Sequence, residues 1–337
     1  MKYFLSLCCI IKNERNLEEF IIYYILLGVE QIYIYDNEST YPIKDRLNSF
    51  IYKKYCTIIN FPGKYKQLVA YNDCINKTKN NTKWLIICDG DEYIVPKKDN
   101  YWSIKDFLND NNDAHAIGIN WVMFGTSHYD TKQEGFIIDK YRYSSSKQDK
   151  HIKTICQPKY VISVDGPHCV QLEDPSKYID ANKNIIKGPF NENHTINIIQ
   201  MNHYHSKSKE ELIEKFNRGN ADSNKRVYIP NNVHSVDNEI INNFIADKYL
   251  NDLKKMHNLT GVNLQIYKEL NIDVKNNLKN EEQYTEHILK YSLIEKRPLH
   301  ITDKFPNFNR VEYRNKNPNL NNLNDLDLEL YYISQNS

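Results

Sequence analysis

The chain lacks the long apolar segment that a membrane-spanning helix needs. No apolar run among its 337 residues approaches the ~20 residues that cross a bilayer. The apolar opening YFLSLCCII is short, leads directly into Lys12-Asn13-Glu14 and has no small-residue cleavage site. It therefore predicts a first strand rather than a signal peptide, and we expect a cytoplasmic protein without a membrane span.

An excess of charge of either sign is also missing. The 44 basic and 43 acidic residues give a formal net charge of +1. A balanced charge gives no electrostatic footprint for nucleic acid or for an anionic membrane, so we expect no nucleic-acid partner. The seven cysteines show no C-x-x-C spacing, and an odd count without a framework favours reduced thiols in the cytosol. No feature of the sequence indicates an oligomeric state.

Two common nucleotide-binding motifs are absent. The sequence contains no G-x-G-x-x-G, which leaves nicotinamide or flavin binding unsupported. It contains no G-x-x-x-x-G-K-[ST] either, which argues against a P-loop kinase or ATPase. Any nucleotide site must therefore be built from other residues.

What is present in the first half is an alternation of strand-like and helix-like segments. Strands are predicted at 3–11, 31–36, 56–61 and 84–89, and helices at 16–27, 42–54 and 65–79, with Gly28 as a C-terminal cap. This order predicts an α/β fold with a parallel sheet and right-handed crossovers. Later segments predict strands at 116–125, 151–158, 159–164 and 195–205, helices at 207–219, 239–256 and 281–295, and a partly irregular tail from about 303.

Polar sequences follow three of the predicted strands. They are Lys12-Asn13-Glu14, Asp36-Asn37-Glu38-Ser39 and Asp89-Gly90-Asp91. Ligands of such sheets bind beyond the carboxyl ends of the strands, so we expect the three sequences to converge on one cleft.

The acidic pair Asp89 and Asp91 is the main metal candidate. Carboxylates supply the hard oxygen ligands that a divalent cation on a diphosphate prefers, and Gly90 allows a close backbone approach. A solvated acidic turn is the alternative. Asp36 could bind a nucleotide base or ribose, or could instead form a turn that caps a helix.

Side chains from other segments could complete this site. His203 and His205 alternate, so on a strand they face the same way, and one of them could join a metal shell; a structural histidine is the alternative. Lys153 and Lys207 are candidate phosphate contacts, although each alone could be a surface charge.

Six segments, in order through roughly residues 5–222, together resemble glycosyltransferase family 92 and related GT-A-type domains. They are CCIIKNERNLEEFIIYYILLGVEQIYIYDNEST, QLVAYNDCI, WLIICDGDEYIVP, WVMFGTSHYD, KTICQPKYVISVDGPH and NHYHSKSKEELIEKFNRGNAD. The resemblance implies a GT-A domain at 1–222 with a mostly parallel sheet flanked by helices. Residues 223–337 carry no such resemblance, and their sequence predicts a mainly helical or irregular extension of unknown role.

The resemblance also implies an activity and its ligands. The family uses a nucleotide-sugar donor, generally a UDP-sugar, needs a divalent metal such as manganese (or magnesium), and inverts the anomeric centre on transfer to a glycan or glycoconjugate acceptor. Its motifs place nucleotide or phosphate contacts on Lys12, Asn13, Glu14, Asp36, Asn37, Ser39, Gln67, Asp89, Gly90, Lys153 and Lys207, and metal ligands on Asp89, Asp91 and His203, with Glu92 in support.

An inverting transfer needs a base for the acceptor hydroxyl. Asp165, in the turn VDGPH, and the pair Glu173-Asp174 are the candidates after the D-x-D, and an ordinary surface acid is the alternative for each. Trp121 and Phe124 could stack on an acceptor sugar or simply belong to the core.

Two other functions fit parts of the pattern. A sugar nucleotidyltransferase also has a parallel sheet and metal-binding acids, but it normally carries a Gly-rich basic loop after the first strand, and Lys12 to Leu17 contains no Gly. A non-catalytic glycan-binding protein could keep the fold, although intact acidic motifs argue against it.

Overall fold

The structure is a computed structural model, and it describes residues 1–97, 103–147, 149–193, 195–218 and 233–336. Strands and helices alternate in the first half, as predicted. The strands are β1 Tyr3–Ile11, β2 Gln31–Asp36, β3 Cys56–Asn60, β4 Thr82–Ile87, β5 Glu92–Pro96, β6 Ala116–Met123, β7 Tyr143–Ser144, β8 Ile152–Cys156, β9 Val161–Ser163, β10 Gln171–Leu172, β11 Tyr178–Ile179, β12 Ile199–His203 and β13 Ile240–Ile241.

Fourteen α-helices lie within the described ranges. They are α1 Leu17–Leu27, α2 Ile43–Arg46, α3 Phe50–Tyr55, α4 Gln67–Thr78, α5 Ile104–Asp110, α6 Ile137–Lys140, α7 Lys209–Arg218, α8 Phe244–Thr260, α9 Leu264–Leu270, α10 Ile272–Asn277, α11 Glu281–His287, α12 Ile301–Lys304, α13 Arg310–Lys316 and α14 Asp325–Asn336. Within the described ranges no helix has the length and apolar character needed to span a bilayer.

Nine of the described strands form one mostly parallel sheet. Its order is β3-β2-β1-β4-β8-β6-β12-β5, and β11 pairs with β6. The neighbours β3, β2, β1 and β4 are all parallel, which confirms the predicted parallel core. β8 enters antiparallel between β4 and β6, and β5 pairs antiparallel with β12. The prediction of an α/β sheet flanked by helices is confirmed.

The packing of α1 and α4 explains why these segments form helices. α4 places Ala70, Cys74 and Ile75 in the same buried cluster as Cys8 and Tyr33 of the sheet. The tyrosines of α1 are buried too, and their hydroxyls donate to main-chain oxygens of β5, at 2.6 Å for Tyr23 and 2.9 Å for Tyr24. Buried hydroxyls with partners cost little, so the helix can be apolar nearly all round.

Local chain chemistry sets two helix boundaries. Gly28 ends α1 with φ +100°, and its N–H donates to the carbonyl of Ile25 at 3.0 Å, so the predicted cap is confirmed. The single helix predicted at 42–54 is wrong, because α2 ends at Arg46 and α3 begins at Phe50. The side chain of Ser49 accepts from Ile51 N at 3.4 Å, in the manner of an N-cap that starts a new helix.

The chain divides into two compact units. The first comprises residues 1–48 and 55–254 and contains the nine-stranded sheet; the second comprises 49–54 and 255–337. The second unit is helical, with a small core formed by Ile266, Leu270, Ile301, Phe308 and Ile333. The tail from about 303, expected to be partly irregular, contains α13 and α14, and a short 3-10 helix lies at Pro318–Leu320 between them. The boundary predicted at 222 lies outside the described residues and stays a prediction.

Candidate functional site

The three polar sequences meet at one edge of the sheet. They follow β1, β2 and β4, which are adjacent and parallel, so their carboxyl ends lie side by side. Asn13 N donates to Ser39 Oγ at 3.2 Å, and Thr40 N donates to Asn13 Oδ1 at 2.7 Å. Asn13 and Glu38 both adopt left-handed backbone conformations, with φ of 54° and 59°. Such conformations cost energy and cluster at functional sites, so this edge is the candidate site.

Gly90 lies against the end of β1. A Cβ at this position would be 2.6 Å from Ile11 Cδ1 and 3.4 Å from Glu14 Cγ. The first distance is shorter than van der Waals contact permits, so glycine lets the acidic turn pack directly onto the neighbouring strand end.

Asp89 is held by three donors. Its Oδ2 accepts from Lys153 Nζ at 2.8 Å, and its Oδ1 accepts from Gln67 Nε2 at 2.8 Å and from Tyr71 OH at 2.9 Å. The side chain of Lys153 is only 1% exposed, and its ammonium also lies 3.4 Å from Glu92 Oε2. Lys153 and Gln67 therefore orient Asp89 in this structure, whereas the sequence predicted that they contact the nucleotide.

The buried charges of this group shift one another's pKa values. Burial alone would raise the pKa of Asp89 and lower that of Lys153, but their mutual attraction wins, so the pKa of Asp89 falls and that of Lys153 rises. Burial also raises the pKa of Glu92 to about 8, against the pull of Lys153. Glu92 Oε2 accepts from Asp89 N at 2.8 Å, and the supporting role at a metal site predicted for Glu92 stays a prediction.

Asp91 contacts a different pair of side chains, one ammonium group and one imidazole. Its Oδ2 accepts from Lys215 Nζ at 2.7 Å, and its Oδ1 lies 3.6 Å from His203 Nε2. Burial would raise the pKa of Asp91, yet the nearby positive charge of Lys215 is among the effects that lower it overall. Next to it, Lys207 Nζ donates to Glu14 Oε1 at 2.5 Å. The site thus holds several ammonium groups around two carboxylates.

The residues at Asp91 fit a divalent cation with some nitrogen affinity. Carboxylate and imidazole together suit manganese. Burial lowers the pKa of His203 well below its ordinary value, which keeps the imidazole in the neutral form that binds metals. Among the described residues, no group of three His, Cys, Asp or Glu side chains is arranged to hold a metal. This chain would therefore supply two ligands, Asp91 and His203, and the remaining positions would belong to substrate or water.

The residues after β2 that were predicted to contact a nucleotide form hydrogen bonds within the protein. Asp36 Oδ1 accepts from Ser39 N and Oδ2 from Ile43 N, both at 3.0 Å. Asn37 Nδ2 donates to the carbonyls of Phe61 and Gly63 at 2.8 Å. These bonds fix the loop and cap α2, the alternative that the sequence left open for Asp36; a contact with nucleotide stays a prediction.

Two cavities open at the candidate edge. The first, of about 360 Å³, lies over the loops after β1 and β2, and its lining is Asn13, Glu14, Ser39, Thr40, Tyr41, Ile43 and Arg46. The second, of about 230 Å³, contains the carboxylate of Asp91, and its lining is Asn13, Glu14, Arg15, Asp91, Lys132, His205, Ser206, Lys207, Glu211, Glu214 and Lys215. Asn13 and Glu14 line both, so the cavities adjoin.

The structure does not bring the pair Glu173-Asp174 to this edge. The carbonyl oxygen of Lys177 accepts from His115 N at 3.0 Å, and Lys177 N donates to Asp174 O at 3.1 Å. His115 directly precedes β6, whose direction is that of β4, so Glu173 and Asp174 lie near the opposite edge. The exposed Asp165 accepts from Ser163 Oγ at 2.6 Å and lines neither cavity.

Sequence reasoning missed several residues of the second cavity. Arg15, Lys132 and Lys215 bring positive charge to it, yet they lie far apart along the chain and resemble ordinary surface cations in the sequence. Lys215 lies on α7, whose acidic first turn and helical period were visible, and only the tertiary fold shows that it meets Asp91. Phe124, a candidate sugar platform, is fully buried, whereas Trp121 is partly exposed.

Comparison with known proteins gives a family match over most of the chain. A family model described as glycosyltransferase family 92 matches residues 8–244. A glycosyltransferase family 92 protein of Ricinus communis is 24% identical over 220 residues, which cover 64% of this chain and 37% of that protein. One from Oryza sativa subsp. japonica is 29% identical over 92 residues, which cover 27% of this chain and 16% of that protein. The matches thus span well under half the length of these relatives.

Similarity to solved structures is weaker. HddC from Yersinia pseudotuberculosis aligns with a TM-score of 0.33 and 12% identity over 53% of this chain and 90% of that one. A structure described as a putative glucose-1-phosphate thymidylyltransferase from Bacillus anthracis aligns with a TM-score of 0.31 and 8% identity, over 47% of this chain and 72% of that one. At these TM-scores neither structure adds to the assignment.

Proposed function

The chain belongs to glycosyltransferase family 92, and from this membership we propose that it is an inverting, metal-dependent glycosyltransferase of GT-A type. The proposed donor is a nucleotide-sugar, specifically a UDP-hexose, and the proposed acceptor is a hydroxyl of a glycan or glycoconjugate. The observation that carries the proposal is the second cavity, where the carboxylate of Asp91 lies among the ammonium groups of Lys207 and Lys215.

The two adjoining cavities suit the two halves of such a donor. The first is lined by loop residues after β1 and β2, including Tyr41, a residue that is 62% exposed and can pack on a base. The second carries the cations that a diphosphate needs, because ammonium groups are strong donors to phosphate oxygens. The donor would therefore lie across Asn13 and Glu14, with its diphosphate towards Asp91.

Each site residue has a separate part in this scheme. Asp91 and His203 would hold a manganese or magnesium ion, which supplies positive charge to the departing diphosphate. Asp89, whose carboxylate is already bound by Lys153, keeps the acidic turn in place and presents its remaining exposed surface, 32% of the side chain, to the ligand. Lys207 and Lys215 would donate to phosphate oxygens of the donor as well as to their carboxylate partners, since each ammonium group has three N–H donors.

Binding of UDP in the presence of Mn²⁺ tests the proposal. Asp91→Ala should abolish the manganese-dependent part of UDP binding in calorimetry, because it removes the carboxylate of the ligand pair. Asp113→Ala is the matched control, since Asp113 is exposed and lies at the opposite edge of the sheet, just before β6. Unchanged manganese-dependent binding in Asp91→Ala would refute the assignment of this site.

A panel of UDP-sugars tests the reaction itself. The proposal expects release of UDP from at least one of UDP-galactose, UDP-glucose and UDP-N-acetylglucosamine with Mn²⁺, and loss of that release in Asp91→Ala. Absence of both UDP binding and UDP release in the wild-type protein would leave a non-catalytic role as the better account.

A further inference from the structure

His151 and Asp149 form a hydrogen-bonded pair next to the candidate site. His151 Nδ1 lies 2.7 Å from Asp149 Oδ1, and His151 N donates to the same oxygen at 2.8 Å. A carboxylate at Nδ1 favours the tautomer with its proton there, which leaves Nε2 with a free lone pair. Within the described residues no hydrogen bond to Nε2 is formed. The side chain of His151 is 38% exposed, so a ligand can reach it.

The position of His151 in the fold brings it to the carboxyl edge of the parallel strands. It directly precedes β8, two residues before Lys153, and alternate strand residues point to the same side. Lys153 donates to Asp89 and so holds the acidic turn. His151 lies two strand residues, ~7 Å along the strand, from Lys153.

The ring of Trp121 contacts both His151 and His203, the predicted metal ligand. Its ring stacks on His151 with centroids 5.1 Å apart and an interplanar angle of 25°, and it lies 4.3 Å from the ring of His203. The indole Nε1 is buried and has no hydrogen-bond partner among the described residues. The packed indole therefore fixes the position of the His151 ring relative to His203.

Three carboxylates of the candidate site are already paired with cations. Asp89 binds Lys153, Asp91 binds Lys215 and Glu14 binds Lys207. A carboxylate stabilised by an ammonium group is a poor proton acceptor. The acids that the sequence suggested, Glu173 and Asp174, lie near the opposite edge.

We propose that His151, oriented by Asp149 and by its stacking on Trp121, is the base that deprotonates the acceptor hydroxyl. The inference rests on the proposed function. In the step, the hydroxyl proton passes to Nε2 of His151 while the acceptor oxygen forms a bond to the anomeric carbon. The bond from that carbon to the phosphate oxygen breaks, and its electron pair leaves with the nucleoside diphosphate. His151 is thus a catalytic residue, and Asp149 is a positioning residue.

Azide provides a test that separates base catalysis from a structural role. Azide is already an anion and attacks without losing a proton. The experiment measures UDP release from the three UDP-sugars above with Mn²⁺, with and without azide, for wild type, His151→Ala, His151→Gln and Asp149→Asn. His257→Gln, at an exposed position on α8 in the second unit, is the control. UDP binding by calorimetry reports whether each variant is folded and still binds nucleotide.

The expected result is a loss of at least ~100-fold in UDP release for His151→Ala, the usual lower range for general-base catalysis. Azide should restore part of the rate and yield the glycosyl azide in both His151 variants and in Asp149→Asn, while UDP binding and the His257→Gln control stay unchanged. A wild-type rate of UDP release in His151→Ala would overturn the inference. So would a variant that binds UDP normally but whose lost rate is not restored by azide. A wild-type protein that neither binds UDP nor releases it would overturn the proposed function, and this inference with it.

Discussion

Replacement of the buried Lys153 is the perturbation whose cost the structure defines best. Lys153→Met keeps most of the side-chain volume and removes the ammonium group that lies 2.8 Å from Asp89 Oδ2. Because burial raises the pKa of Glu92 to about 8, the main charge partner of Lys153 at pH 7 is Asp89. Removal of one partner of a fully buried ion pair typically costs ~3–5 kcal/mol, and because the Asp89 side chain is 32% exposed we expect a cost near the lower end of that range.

That cost should be visible in thermal unfolding. For a domain of this size, 1 kcal/mol corresponds to ~2–4 °C, so the melting temperature should fall by roughly 10 °C. Lys150→Met is the control, because the pair of Lys150 with Glu192 is exposed and should contribute at most ~1 kcal/mol. The melting temperatures of both variants should be measured at pH 7 in the presence of a chelator.

A double-mutant cycle gives the decisive comparison. Asp89→Asn also breaks the pair, and the double variant should lose less than the sum of the two single losses, by ~1–3 kcal/mol, since no unpaired charge is left. Strictly additive losses, or a loss for Lys153→Met no larger than that of Lys150→Met, would refute the reasoning that this pair holds the acidic turn.

Two further predictions concern packing and pH. Gly90→Ala should cost ~1–3 kcal/mol because its Cβ would meet Ile11 Cδ1 at 2.6 Å, and Ile11→Val should recover part of the loss in denaturant unfolding. Gly166→Ala is the control, because no atom lies within 4 Å of the new Cβ, and its unfolding free energy should stay within ~0.5 kcal/mol of wild type. An equal loss of stability at both glycines would contradict the close contact of Gly90 with Ile11. Burial raises the pKa of Glu19 from 4.5 to about 8, so the folded state holds a proton that the unfolded state releases, and this group's contribution to stability declines as pH rises from about 4.5 to 8. The difference in unfolding free energy between wild type and Glu19→Gln should therefore shift in favour of the variant across that interval, and a constant difference would contradict a buried, protonated Glu19.

The local fold was predictable where the sequence carries an unambiguous period. The continuous apolar run that forms β1 and the alternation around it predicted the parallel strands and, from them, the convergence of Asn13, Ser39 and Asp89. β5 was missed because Glu92–Pro96 follows the acidic turn with no connecting helix, and its antiparallel partner β12 lies about a hundred residues later. Pairing over such a distance has no local signal.

The site was predictable in part for the same reason. Motifs near strand ends identified Asp91 and His203, which the structure brings together. Contacts that depend on which edge a loop faces could not be seen, so Glu173 and Asp174 were among the candidate bases although they lie away from the site. His151 was missed because its contact with Trp121 exists only when β6 and β8 pair, and the nearby Asp149 alone did not mark it as a functional residue.

The most direct test of the central claim is the position of manganese in crystals grown with UDP and Mn²⁺, located by its anomalous scattering. We predict one strong anomalous peak at the carboxylate of Asp91 and the imidazole of His203. The diphosphate of UDP should lie in the cavity lined by Lys207 and Lys215, with the nucleoside towards Tyr41. A manganese peak away from Asp91, or UDP bound elsewhere on the protein, would contradict it.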